Sequence, residues 1–115
     1  MCSPGNKATF SFPWSEGRWQ TRIVDDWDNV TGTIQEATLL KWSELNLEDV
    51  HSDHFLRFNE KLKQAAQDAW LLRNAPEINN AIWYGQEPLP TFGRVSQLTN
   101  LLNDAGIQYR VVRPR

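Results

Sequence analysis

Residues 52–73, with the sequence SDHFLRFNEKLKQAAQDAWLLR, form the longest regular pattern in this chain of 115 residues. Apolar side chains recur at steps of three and four residues, which is the spacing of one face of an α-helix. Ser52 suits the N-cap, and Asp53 suits the positive end of the helix dipole. The polar residues between the apolar ones, including Gln67 and Asp68, are expected to face solvent. We therefore predict a helix over 53–73 with an apolar stripe formed by Phe55, Phe58, Leu62, Ala65, Ala66, Ala69 and Leu72.

Downstream of this helix, the sequence predicts two more helices and a strand. Pro76 suits a first helical turn and favours a short second helix that ends at Gly85. The apolar spacing over 94–105 predicts a third helix, with Gly106 as the left-handed residue that ends it. β-branched and aromatic residues over 107–112 then predict a strand. The C-terminal part should therefore be mainly helical and end in one strand.

Upstream of the long helix, stretches 8–14, 19–24 and 31–42 are rich in strand-forming residues and are joined by short connections. The order β-β-β-α-α-α-β predicts an α+β fold. We expect a small antiparallel or mixed sheet of three N-terminal strands plus the C-terminal strand, with about three helices packed on one face. A doubly wound fold would need strands that alternate regularly with helices. Residues 1–7 are expected to be a disordered leader, and 8–115 a single domain.

The composition is that of an ordinary globular domain, with 40% hydrophobic and 23% charged residues. One cysteine, Cys2, cannot form an internal disulfide, so we expect a reducing, cytoplasmic compartment. The first residues show no basic stretch followed by an apolar run, and no long apolar run occurs elsewhere. These patterns predict neither a signal peptide nor a membrane span. A soluble monomer or homodimer is the expectation.

Tryptophan and acidic residues are concentrated in the first half of the chain. Six tryptophans in 115 residues is an unusually high content, and tryptophan is a common anchor of protein interfaces because it buries a large area and still offers a hydrogen-bond donor. Trp27 stands among aspartates, where a core residue is not expected. We therefore predict a surface that binds a protein partner, one with a basic surface, through Trp14, Asp25, Asp26, Trp27 and Asp28.

The favoured hypothesis is thus a small non-enzymatic protein-binding domain, such as an inhibitor, an immunity-type protein or an adaptor, without an assigned catalytic residue. A second hypothesis is a nucleic-acid-associated module that combines stacking aromatics with phosphate contacts from Arg94, Arg110, Arg113 and Arg115.

A third hypothesis is a small hydrolase or transferase built around His51 and His54, with Asp53 beside them. Two histidines one helical turn apart can converge on an ion. However, no glutamate directly follows the first histidine, as the zinc-hydrolase pattern requires, and no cysteine pair can supply further ligands. We therefore expect neither a metal nor another cofactor.

Overall fold

A computed structural model describes residues 8–15, 18–38, 40–45, 47–49 and 51–112 of the chain. The strands are β1 (Ala8–Ser15), β2 (Arg18–Val24), β3 (Asp26–Asp28), β4 (Thr33–Ala37), β5 (Asn80–Gly85) and β6 (Gln108–Val111). The helices are α1 (Asp53–Asn74) and α2 (Ser96–Ala105), and Trp42–Glu44 form a 3-10 turn. The predicted α+β class is confirmed. The predicted leader over 1–7 lies outside the described residues.

The strands form two sheets. β1 and β2 pair as an antiparallel hairpin, and the other four strands form a sheet in the order β3-β4-β5-β6. Within it, β3 is antiparallel to β4, whereas β4, β5 and β6 are parallel neighbours. Each parallel connection contains one helix, and the two helices pack on each other. When successive βαβ crossovers are right-handed and each moves to the next strand in the same direction, their helices lie on the same face of the sheet.

The predicted second helix after Pro76 is wrong, because this segment forms a turn followed by β5. The side chains of Ala81 and Trp83 are buried in strict alternation with less buried neighbours, which is the period of a strand. Isoleucine, tryptophan and tyrosine also favour strands over helices. As a result, strands and helices do alternate in the second half of the fold, from β4 to β6.

The predicted long helix is confirmed as α1. Both signals predicted for its N-terminus, Ser52 as the cap and Asp53 in the first turn, are in place. The Ser52 side chain caps it by accepting a hydrogen bond from the Phe55 N–H at 3.2 Å. Phe58 and Ala65 of the predicted stripe are buried in the core. The prediction that Gln67 and Asp68 face solvent is wrong, since both side chains are buried. Arg22 of β2 supplies a partner for the buried Asp68 side chain.

The core lies between the four-stranded sheet and the helices. Its largest fully buried apolar side chains are Trp83, Ile34, Leu98, Leu102 and Val24. Gly106 ends α2 with φ at 74°, as predicted, and its N–H donates to the last carbonyls of that helix. Among the described residues, no helix has the length and apolarity needed to cross a lipid bilayer.

Candidate binding groove

The three parallel strands end at one edge of the sheet, and a groove lies at that edge. Here the chain leaves β4 through residues 38–52 and leaves β5 through residues 86–95. The groove between these two segments has a volume of about 1020 Å³ and is lined by residues from 42–48 and from 87–95.

Tyr109 of β6 joins the two walls of the groove. The Trp42 indole N–H donates to the Tyr109 hydroxyl at 3.0 Å, and that hydroxyl donates to the Glu87 carbonyl at 2.6 Å. Burial raises the pKa of Tyr109 above its ordinary value of 10, so the hydroxyl keeps its proton at neutral pH. A Cβ atom at Gly85 would collide with this hydroxyl. Glycine at this position therefore lets the tyrosine reach both walls.

Two further contacts join the walls directly. The Glu87 carboxylate accepts hydrogen bonds from the Ser43 N–H at 3.0 Å and from its hydroxyl at 2.8 Å. These bonds lower the pKa of Glu87, which keeps its carboxylate charged at neutral pH. On the other side, the Arg94 guanidinium donates to the Leu47 carbonyl at 3.1 Å. Segments more than forty positions apart in the sequence are thereby held at a fixed separation.

The lining is mainly apolar, and one aromatic ring stands exposed beside it. Leu47 and Val95 are buried, whereas Leu45 and Leu89 are half-buried against the core. Phe92 is 80% exposed. The loop that carries it is fixed to α2, because the Thr99 hydroxyl donates to the Pro90 carbonyl at 2.7 Å. The groove can therefore present apolar surface without losing its shape.

The predicted partner surface lies elsewhere, on and beside edge strand β3. Trp27 is half-buried there and packs edge-to-face on Phe10, with ring centroids 5.3 Å apart. Asp26 is 8% exposed, and the Asp25 carboxylate accepts a hydrogen bond from the Ala37 N–H.

Asp28 and Trp14 complete the predicted partner surface. Asp28 accepts hydrogen bonds from the N–H groups of Val30 and Thr31, which lowers its pKa. Trp14 lies on β1, and its side chain is outside the described residues. The structure thus gathers Trp27 and three aspartates, and one carboxylate oxygen of each aspartate accepts a backbone hydrogen bond.

The residues of the two alternative hypotheses lie at the start of α1 and, for the described arginines, at two separate places. His51, His54 and Asp53 are exposed at the start of α1, and no group of three or more His, Cys, Asp or Glu suited to a metal ion occurs among the described residues. Arg94 borders the groove, whereas Arg110 lies on β6 and donates to Gln108. Arg113 and Arg115 lie outside the described residues.

A buried charge cluster was not anticipated from the sequence. Arg22 of β2 donates to Asp68 of α1 at 2.8 Å and to Glu36 of β4 at 2.9 Å. The Trp83 indole also donates to Asp68 at 2.9 Å, and Lys61 lies 3.5 Å from Glu36. One signal was present: a strand alternates, so Arg22 must share the inward face with Val24, while Ile23 points outward.

Burial and mutual attraction act in opposite directions in this cluster. Burial raises the pKa of Glu36, and it does so despite the opposing attraction of Arg22 and Lys61. Burial alone would lower the pKa of Arg22, but Asp68 and Glu36 raise it overall. No buried side-chain polar atom of the described residues lacks a hydrogen-bond partner. The cluster therefore joins the hairpin to α1 and the sheet, and offers no open position to a ligand.

Comparisons of the chain with protein-family models, with curated proteins and with solved structures find no match.

Proposed function

We propose that this chain is a non-enzymatic protein-binding domain that holds a short segment of its partner in the groove. The observation that carries the proposal is the apolar groove at the carboxyl edge of the parallel strands, with Phe92 exposed beside it. Aromatic side chains next to concave apolar surface are typical anchors of protein interfaces. Burying such a ring against a partner removes its apolar area from water, which favours association.

The rigidity of the groove supports the same proposal. Its walls are joined by the Ser43–Glu87 and Leu47–Arg94 hydrogen bonds, and Pro88 restricts the backbone of one wall. A surface that is already ordered loses little conformational entropy when a partner binds. A modest contact area can therefore give useful affinity.

The polar groups that line the groove suit binding better than catalysis. Ser43 is bonded to a carboxylate whose lowered pKa makes it a weak base, so its hydroxyl is not activated as a nucleophile. The lining residues that the structure describes include neither histidine nor cysteine. One wall, from Trp42 to Glu48, belongs to the acidic, tryptophan-bearing half of the chain. The proposal therefore retains the function predicted from the sequence and moves its site away from Trp27.

Selection of peptides from a phage-displayed library on the immobilised chain would test this function. We expect enriched peptides to lose binding to the Phe92→Asp variant. Val30→Asp is the matched control, because Val30 is 90% exposed in the turn before β4, at the opposite edge of the sheet. This control should keep binding. Absence of enrichment, or equal binding to the wild type and Phe92→Asp, would contradict the proposal.

A further inference from the structure

We infer that the groove selects partner segments in which a bulky apolar side chain is flanked by lysine or arginine. This inference rests on the proposed function and adds the chemistry of the partner. Three properties of the groove lead to it: the sign of the charge around it, the hydrogen bonds that its backbone groups already make, and the size of its apolar lining.

The charged groups around the groove are predominantly acidic. Glu48 is exposed in its lining, and Glu87 is half-exposed on the facing wall. Glu44 and Asp49, which flank the first wall in the sequence, are exposed as well. The basic residues are Arg94 in the lining, whose guanidinium donates to the Leu47 carbonyl, and the exposed Lys41 beside the first wall, whose charge contributes to lowering the pKa of Glu87. Carboxylates still outnumber these two cations. A cationic side chain of a partner would therefore meet carboxylates at this edge of the molecule.

Several backbone groups of the groove are already engaged within the chain and are not offered to a partner strand. The carbonyls of Leu47, Glu87 and Pro90 already accept hydrogen bonds from Arg94, Tyr109 and Thr99, respectively. Pro88 and Pro90 have no backbone N–H to donate. Strand addition depends on a continuous row of such groups. These interruptions disfavour strand addition along the groove, so we expect the partner's side chains to contribute most of its affinity.

The apolar lining accounts for the second part of the inferred specificity, which is the preference for a bulky apolar side chain. Leu45, Leu89 and Phe92 offer apolar surface from both walls, around a volume of about 1020 Å³. This volume is at the upper end of the range of about 300–1,000 Å³ that is typical of small-ligand sites. The space accommodates more than one bulky side chain and leaves the adjoining residues of the partner near the carboxylates.

Fluorescence anisotropy with three labelled synthetic peptides would test this inference. All share a leucine–phenylalanine centre, which is flanked on both sides by lysine, glutamine or glutamate. We expect the lysine peptide to bind about tenfold more tightly than the glutamate peptide, with the glutamine peptide between them. The difference should shrink at high salt, because the interacting charges are exposed.

Two variants with the same change in net charge make the test specific to the groove. Glu48→Lys should reduce or invert the preference for the lysine peptide. Asp104→Lys should leave it unchanged, because Asp104 is exposed in the last turn of α2, at the end of that helix remote from the groove.

The outcomes separate this inference from the proposed function. Equal binding of the three peptides would overturn charge selection and leave the binding function standing. Failure of all three to bind, together with failure of the library selection, would overturn both. If Asp104→Lys acted like Glu48→Lys, the preference would reflect net charge alone, and the inference would be wrong.

Discussion

Arg22 illustrates how strongly a single residue can depend on distant parts of the chain. Its side chain is 2% exposed, and its guanidinium is shared by carboxylates from α1 and β4. Removing one partner of a buried ion pair is costly because the remaining charge stays buried without compensation. The hairpin, the long helix and the sheet therefore depend on one arginine for a common contact.

We expect Arg22→Met to lower the free energy of unfolding by about 3–5 kcal/mol, because Asp68 and Glu36 would then lie buried together without their shared cation. Urea denaturation would measure the loss. Arg57→Met is the control, since Arg57 is exposed on α1 and should change stability by less than about 0.5 kcal/mol. Similar small effects of the two substitutions would show that the cluster contributes little to the fold.

Glu36 should give the stability a specific pH dependence. Burial raises its pKa in the folded state above the ordinary value of 4.5, so the folded chain binds this proton more tightly than the unfolded chain. Stability contributed by Glu36 must then increase as the pH falls through the raised pKa toward 4.5, and reach its limit below 4.5.

Urea denaturation of the wild type and of Glu36→Gln at pH 7 and pH 5 would isolate this contribution. The stability of the wild type relative to the variant should be greater at pH 5. A constant difference, or a decrease on acidification, would show that attraction by Arg22 and Lys61 outweighs burial.

At the scale of elements, α1 connects the pattern in the sequence to the core. Phe58 is 2% exposed and lies in the predicted stripe, whereas Lys63 is exposed on the same helix. We expect Phe58→Ala to cost about 3–5 kcal/mol through loss of burial and formation of a cavity. Lys63→Ala should cost less than about 0.5 kcal/mol. Thermal or urea denaturation would compare them, and equal effects would mean that the buried face of α1 has been misassigned.

The elements also show which features a local pattern can predict. α1 and α2 follow from apolar spacing within each segment, and Gly106 follows from the left-handed conformation that ends a helix. β5 cannot be predicted from its local pattern, because Pro76 and the residues after it suit a helix start just as well. The pairing of β5 with β4, more than forty positions away in the sequence, selects the strand. Tertiary context thus overrides the local preference.

The candidate site was less predictable, for the same physical reason. Asp68 was assigned to solvent because its neighbours on the helix are polar, and its partner Arg22 is 46 positions away. The groove combines a wall after β4 with a wall after β5, and the parallel arrangement that brings them together is absent from the predicted topology. The aspartates beside Trp27 favour an exposed surface on sequence grounds, and in the structure their carboxylates accept hydrogen bonds from backbone groups, a contact that the sequence does not reveal.

At the scale of the whole molecule, the central claim is that partner segments bind at the carboxyl edge of the parallel strands. NMR titration of the labelled chain with a peptide from the library selection tests it most directly, since each backbone amide reports separately. We predict chemical-shift changes concentrated in residues 42–48 and 87–95, and little change elsewhere. Changes concentrated instead around Trp27 and Asp28, or around His51 and His54, would contradict the claim and place the binding surface on β3 or at the start of α1.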